Sequence, residues 1–311
     1  MHRSILVPLD GSTFGEYALP IARSLALRSG AAVHLVHVHM PAIAGYVDGR
    51  VVYNEKLEAQ NKERERVYLE EIAKRLTVRA NLSVTLALLD EPSSVPDILH
   101  NYMKAMDIDL GVMTTHGRGT LTRFWLGSVT DELMRRTEKP LLLIRPPKGA
   151  EVAPDFTREQ VFQHILIPLD GSPLAEQVLG PAVTLGKLMQ ADYTLLRVLE
   201  PVIPITPPTD YSAEIDRQWS DQWLMEARTY LDGVAERLRS RSLRVQIKVM
   251  VHPHPATAIL EEAEKQGIDL IAIETHGYGG LTRLLVGSVA DKVLRGASMP
   301  VLLHHPHEES S

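Results

Sequence analysis

Apolar residues in this chain gather in short runs, separated by longer segments with helical spacing. Ser4–Leu9, Ala32–Met40, Ser83–Leu89, Asp109–Thr114 and Leu141–Arg145 are dominated by Val, Ile and Leu, as strands buried on both faces must be. Between them, Thr13–Ser29, with Leu19, Ala22 and Ala26 on one face, Asn54–Leu76, Val95–Met106 and Gly127–Thr137 predict helices. The Asn54–Leu76 segment interleaves Glu with Lys and Arg, which predicts a solvated outer face. Strands alternating with helices imply a parallel sheet covered on both sides. Such a sheet takes its ligand at the carboxyl ends of its strands, where the strand order reverses.

The whole pattern is written twice. Ile5-Leu-Val-Pro-Leu-Asp-Gly-Ser12 returns as Ile165-Leu-Ile-Pro-Leu-Asp-Gly-Ser172, and the same step carries Asp109 to Asp269, His116 to His276, Gly127 to Gly287 and Pro140 to Pro300. Solenoid repeats are only about 20–50 residues long, so this period means a duplicated domain. The expected organisation is a first domain over 1–147, a polar, proline-bearing linker over 148–162, and a second domain over 163–307.

Composition narrows the function. A chain of 311 residues with 44% hydrophobic and 23% charged residues can build two packed cores. The net charge of −6, with no basic block, argues against a nucleic-acid surface. The absence of cysteine removes disulfide and thiolate chemistry. The apolar run at the start is too short for a signal peptide, and no stretch approaches the roughly 18 apolar residues of a membrane span. The expectation is a cytoplasmic protein with no membrane and no nucleic-acid partner.

The candidate chemistry sits after the fourth strand of each copy. Met113-Thr-Thr-His-Gly-Arg-Gly runs through to Leu126-Gly-Ser-Val-Thr130, and Ile273-Glu-Thr-His-Gly-Tyr-Gly-Gly runs through to Val286-Gly-Ser-Val-Ala290. A strand end, a glycine-bearing loop and a helix start present backbone N–H groups and the positive end of a helix dipole to an anion. This reads as a phosphate cradle. Asp10-Gly11-Ser12, at the end of the first strand, would face the same crevice if the first and fourth strands are neighbours. That juxtaposition suits a nucleotide, with the carboxylate toward sugar hydroxyls and the loop on phosphates. Asp10 has a plainer alternative, capping the next helix together with Ser12.

These motifs, Pro-x-Asp-Gly-Ser after strand one and Thr-His-Gly, nine residues, Gly-Ser after strand four, resemble the universal stress protein family in tandem form. The resemblance covers nearly the whole chain, twice. It implies two Rossmann-like, adenine nucleotide alpha hydrolase-like domains, each a five-stranded parallel sheet of order 3-2-1-4-5 with helices on both faces. It implies ATP as cofactor, with magnesium. It places Pro8, Leu9, Asp10 and Val38 on the adenosine side, and Met113, Thr114, His116, Gly117, Arg118, Gly127, Ser128, Val129 and Thr130 toward the phosphates. In the second half the counterparts are Asp170, Val198, His276, Gly277, Gly287, Ser288, Val289 and Ala290. The resemblance further implies an intramolecular pseudo-dimer through the last strands, Leu141–Ile144 and Val301–Leu303, and a further homodimer.

The family's first cradle glycine is replaced by Thr114 in one half and by Glu274 in the other. A carboxylate there opposes phosphates unless it turns away or holds a metal, so binding is expected mainly in the first half. The expected role is regulatory, in stress response. Two alternatives stand beside it: a nucleotide-independent interaction or scaffold protein with degenerate sites, and a weak ATPase. The chain has no Gly-x4-Gly-Lys-[Ser/Thr] loop and no evident catalytic dyad, so an enzyme is not expected beyond slow ATP hydrolysis. His37 and His39 share a strand face and read as satisfied core histidines. His304, His305 and His307 read as a solvated tail, Trp125, Trp219 and Trp223 as packing residues, and Pro41–Arg50 and Pro201–Pro208 as long loops at the crevice mouth.

Overall fold

The computed structural model describes residues 3–41, 43–47, 50–115, 127–147, 152–201, 210–275 and 287–305. The chain divides into two compact units, Met1–Val161 and Phe162–Ser311.

In the first unit, β1 (Ser4–Pro8) is followed by a 3-10 turn, Gly15–Ala18, and helix α1 (Leu19–Ser29). Then come β2 (Ala32–Val38), a short antiparallel ribbon of β3 (Ile43–Val47) and β4 (Arg50–Tyr53), and α2 (Glu55–Thr77). The unit closes with β5 (Val84–Leu89), α3 (Val95–Ala105), β6 (Leu110–Thr114), α4 (Ser128–Arg136) and β7 (Leu141–Ile144). The five long strands are parallel in the order β5-β2-β1-β6-β7, the 3-2-1-4-5 order implied by the resemblance. Ribbon β3–β4 falls where Pro41–Arg50 reads as a long loop, because strands of five and four residues are too short to show a period.

Parallel neighbours need right-handed crossovers, so connections running toward one edge lie on one face and those running toward the other edge lie opposite. Helices α1 and α2 accordingly share a face, where the Arg23 Nε donates to Leu76 O at 2.9 Å. Helix α3 covers the other face, where His34 of β2 meets Tyr102 at 2.9 Å, and α4 packs against it. The core between these layers is aliphatic: Ile5, Leu6, Val7, Leu35, Val36, Leu110 and Val112 are fully buried. Pro8, which cannot donate to a ladder, stands at the end of β1, and Leu9 resumes the pairing by donating to Val36 O at 2.8 Å.

The stretch between the repeats does not hang free of the first unit. Phe156 is buried with the Arg75 guanidinium 4.1 Å over its ring, Tyr17 Oη donates to Val152 O at 3.0 Å, and Gln160 N donates to Ser24 Oγ at 2.9 Å. The described residues of the expected linker are therefore a strap on the first domain.

The second unit repeats the plan with β8 (His164–Pro168), α5 (Pro173–Glu176), α6 (Leu179–Met189), β9 (Asp192–Leu199), α7 (Asp210–Arg239) and β10 (Val245–Val251). It ends with α8 (Pro255–Lys265), β11 (Leu270–Glu274), α9 (Ser288–Gly296) and β12 (Val301–His304). Its strand order, β10-β9-β8-β11-β12, is that of the first unit. Asp109 and Asp269 do one job in both: each carboxylate accepts the two backbone N–H groups that open β1 or β8, Arg3 and Ser4 at 2.6 and 3.1 Å, and Gln163 and His164 at 2.8 and 2.9 Å.

Candidate functional site

Strand β1 lies between β2 and β6, so the reversal of strand order falls between β1 and β6. Of the residues expected to bind, Pro8 ends β1 and Leu9 and Asp10 follow it, Met113 and Thr114 end the neighbouring β6, Val38 ends β2, and Gly127–Thr130 open α4. The fold thus gathers them at one edge of one sheet. His116, Gly117 and Arg118, with His276 and Gly277, lie outside the described residues, as do Trp125 and His307.

The Asp10 loop is built by its own side chains. Asp10 Oδ1 accepts from Ser12 N at 2.9 Å and from Ser12 Oγ at 2.5 Å, and Ser12 Oγ accepts from Gly15 N at 3.2 Å. Asp170 Oδ1 repeats this with Ser172 N and Oγ at 2.9 and 2.7 Å, and Ser172 Oγ caps α5 by accepting from Ala175 N at 3.1 Å. Between carboxylate and serine the backbone turns left-handed, at φ 76° for Gly11 and 89° for Gly171, which is why glycine stands there. The serine is the cap, and the aspartate holds the serine.

The cradle has a rigid base. Gly127 N donates to Thr115 O at 2.7 Å, Thr115 N donates to Ile144 O at 2.9 Å, and Thr130 Oγ1 donates to Thr114 O at 3.2 Å. Gly287 N donates to Thr275 O at 2.7 Å in the same way. Helix α4 then begins at Ser128 with glycine as its N-cap, and α9 begins at Ser288 likewise. Among the described residues no side chain caps either helix, whereas Asn54, Ser94 and Ser172 cap α2, α3 and α5. The first-turn N–H groups at Ser128, Val129 and Thr130, and at Ser288, Val289 and Ala290, are therefore available to an anion. Asp131, the one acidic residue of the first turn of α4, is held by Arg135 at 3.1 Å.

The two halves part company at the residue that ends the fourth strand. Thr114 is a buried hydroxyl beside Ile144 in the paired strand. Glu274 is equally buried, but its Oε2 meets His304 Nδ1 at 2.9 Å and its Oε1 accepts from Thr275 N at 3.3 Å. Burial pushes the Glu274 carboxyl up to about 7, against the opposing pull of His304. Glu274 is therefore not a bare anion aimed at phosphates, as the sequence had suggested, but half of a buried pair. His304 belongs to β12 rather than to a solvated tail, and His305 Nδ1 meets Thr275 Oγ1 at 3.0 Å. Trp223, expected to pack, is 41% exposed on α7.

Sequence reading missed one buried cluster and the partners of another. Glu16, 5% exposed, is bonded by Arg75 at 3.1 Å and faces Tyr68 Oη at 3.5 Å, and burial raises its carboxyl pKa despite Arg75. The second half pairs Glu176 with Arg237 beside Tyr230. The signal was a Tyr and an Arg seven residues apart in both helices (68 and 75, 230 and 237), at a step slightly different from the rest of the repeat. The other cluster is at His39, whose Nδ1 and Nε2 meet Glu65 and Glu58 at 2.6 and 2.5 Å. Burial alone would lower this imidazole, but the two carboxylates raise it on balance. Both histidines on this strand face are buried, and His39 is a satisfied core residue. Among the described residues no group of three or more His, Asp or Glu is placed to hold a metal ion.

Comparison with known proteins agrees with this architecture. The family model described as the universal stress protein family matches residues 1–145 and 162–305, and the chain belongs to that family. A universal stress protein of Mycolicibacterium smegmatis is 28% identical over 320 residues, covering 97% of each chain. Another, from Mycobacterium tuberculosis, is 30% identical over 200 residues, 63% of this chain, and the match spans only 62% of that relative's length. The crystal structure of a universal stress protein from Archaeoglobus fulgidus superposes with a TM-score of 0.67 at 16% identity, covering 99% of this chain and 97% of that one, which establishes a shared fold. Among the described residues no helix is long and apolar enough to cross a membrane.

Proposed function

We infer that the chain is an adenine-nucleotide-binding regulatory protein of the cytoplasm, taking ATP mainly in its first half. The observation that carries this reading is the start of α4, which no described side chain caps, with a glycine N-cap tied to the strand end and Asp10 just past the end of the adjoining strand. Phosphates would take the N–H groups of Ser128, Val129 and Thr130, and sugar hydroxyls would meet the Asp10 loop. Magnesium would arrive on the phosphates, since the described side chains offer it no cluster. Pairing of the halves through their last strands, and of whole chains with each other, belongs to the same proposal.

The test uses Gly127→Asp. A carboxylate at the N-cap fills the donors that phosphate needs, and capping side chains stabilise a helix by about 1 kcal/mol. Calorimetric titration of ATP with magnesium should show wild-type binding and a loss of at least about tenfold in the variant, whose melting temperature holds or rises. Unchanged affinity in the variant would overturn the cradle. No heat in the wild type would favour a nucleotide-independent interaction protein.

A further inference from the structure

We propose that the second half admits its anionic ligand together with a proton, taken up by the buried Glu274–His304 pair, and that the first half has no such coupling. This deepens the nucleotide reading above and rests on it.

Glu274 closes β11 one residue before Thr275, whose carbonyl anchors Gly287, the N-cap of α9. Thr275 thus holds the Glu274 carboxylate through its N–H and the N-cap of α9 through its carbonyl. Glu274 is 5% exposed, so water does little to screen it, and its partner is the cross-strand neighbour His304 at 2.9 Å. Taking up a proton at the Glu274 carboxyl raises the charge at this place by one unit. Phosphates carry several negative charges and are opposed by the ionised carboxylate more than by the neutral acid. Ligand binding and proton uptake must then promote one another by the same factor.

Other charges on the elements around β11 are engaged elsewhere. Asp170, after β8, is bonded by Ser172; Glu176 of α5 is paired with Arg237; Asp291 of α9 is held by Arg295 at 2.8 Å. Lys292 is exposed, and His305, just past β12, meets Thr275 Oγ1 at 3.0 Å. The carboxyl, with its value near 7, changes state where small shifts in cellular pH are felt. In the first half the same two positions hold Thr114 and Ile144, which carry no titrating proton.

The experiment is calorimetric titration of ATP with magnesium into the full chain carrying Gly127→Asp, which occupies the first cradle. It is run near pH 6 and pH 8, each in two buffers of different ionisation heat. A fully linked proton changes affinity by up to about tenfold per pH unit, so second-site binding should tighten by about tenfold or more at the lower pH, with buffer-dependent heat reporting proton uptake. Glu274→Gln, which keeps the hydrogen bond but cannot ionise, should bind alike at both values. Thr114→Glu with Ile144→His in an otherwise wild-type chain should give the first site the same pH dependence. Binding at the second site that ignores pH and takes up no proton would overturn the inference. So would no second-site binding at either pH in a chain whose first site works. Absence of binding in both halves of the wild type would instead bring down the nucleotide reading itself.

Discussion

The two crevice edges are built from one backbone plan and two chemistries. In the first half the fourth strand ends in a threonine beside an isoleucine; in the second it ends in a glutamate beside a histidine. The hydrogen bonds that shape the aspartate loop and fix the cradle base repeat with nearly the same lengths in both copies. Duplication has kept the backbone geometry and let the side chains at its rim change. Backbone geometry alone therefore does not tell the halves apart; one buried ionisable side chain at the rim does.

The largest effect that would sharpen this contrast is at His39, a cationic bridge confined to the first half. His39→Ala leaves Glu58 and Glu65 facing each other and should cost about 3 kcal/mol in urea unfolding near pH 6. The imidazole pKa is raised in the folded state, so its contribution is complete below the ordinary value of 6.5 and is lost as pH climbs through the raised one. The penalty should shrink toward pH 9. A penalty that does not vary with pH would mean that packing, not charge, holds α2 to the end of β2.

Glu274 gives a somewhat smaller effect of opposite sense. Its carboxyl rises from 4.5 to about 7 on folding, so the proton it holds stabilises the fold below 4.5 and this support fades as pH rises through 7. Glu274→Gln should melt higher than wild type near pH 8, by about 1–3 kcal/mol, and match it near pH 5. A variant less stable than wild type at both values would show that the ionised pair with His304 is a net support.

The smallest effect tests whether the cores, unlike the rims, are interchangeable. Gly186 of α6 leaves room for Tyr193 of β9: a Cβ there would lie 2.2 Å from the phenol oxygen. The corresponding first-half residues are Ala26 and Val33. Gly186→Ala should cost about 1 kcal/mol net of its gain in helix propensity, and Tyr193→Val in the same chain should offset part of it. Strict additivity of the two changes would mean that they do not share this space.

Much of this was legible in the sequence. Continuous apolar runs gave the strands, and the Asp10 and Gly127 motifs lay at strand ends as a parallel sheet requires. The strand order came from the family resemblance, not from the periodicity. What the sequence hid were contacts without a period. Glu274 reads as an exposed anion because its partner His304 lies thirty residues on, in what looks like a tail. Arg75 over Phe156 joins a charged helix to a polar segment, and neither advertises the other.

That strap has a consequence for synthesis. A chain holding Ile5-Leu-Val-Pro-Leu-Asp and Ile165-Leu-Ile-Pro-Leu-Asp offers two nearly identical strands to one central slot, the setting in which tandem repeats misassemble by exchange. Residues 152–161 leave the ribosome before β8 does, and they are the last described piece of the first unit. By seating Phe156 and Gln160 on its surface, the first copy can finish itself before its competitor strand exists. The order of emergence thus does the work of telling the twins apart.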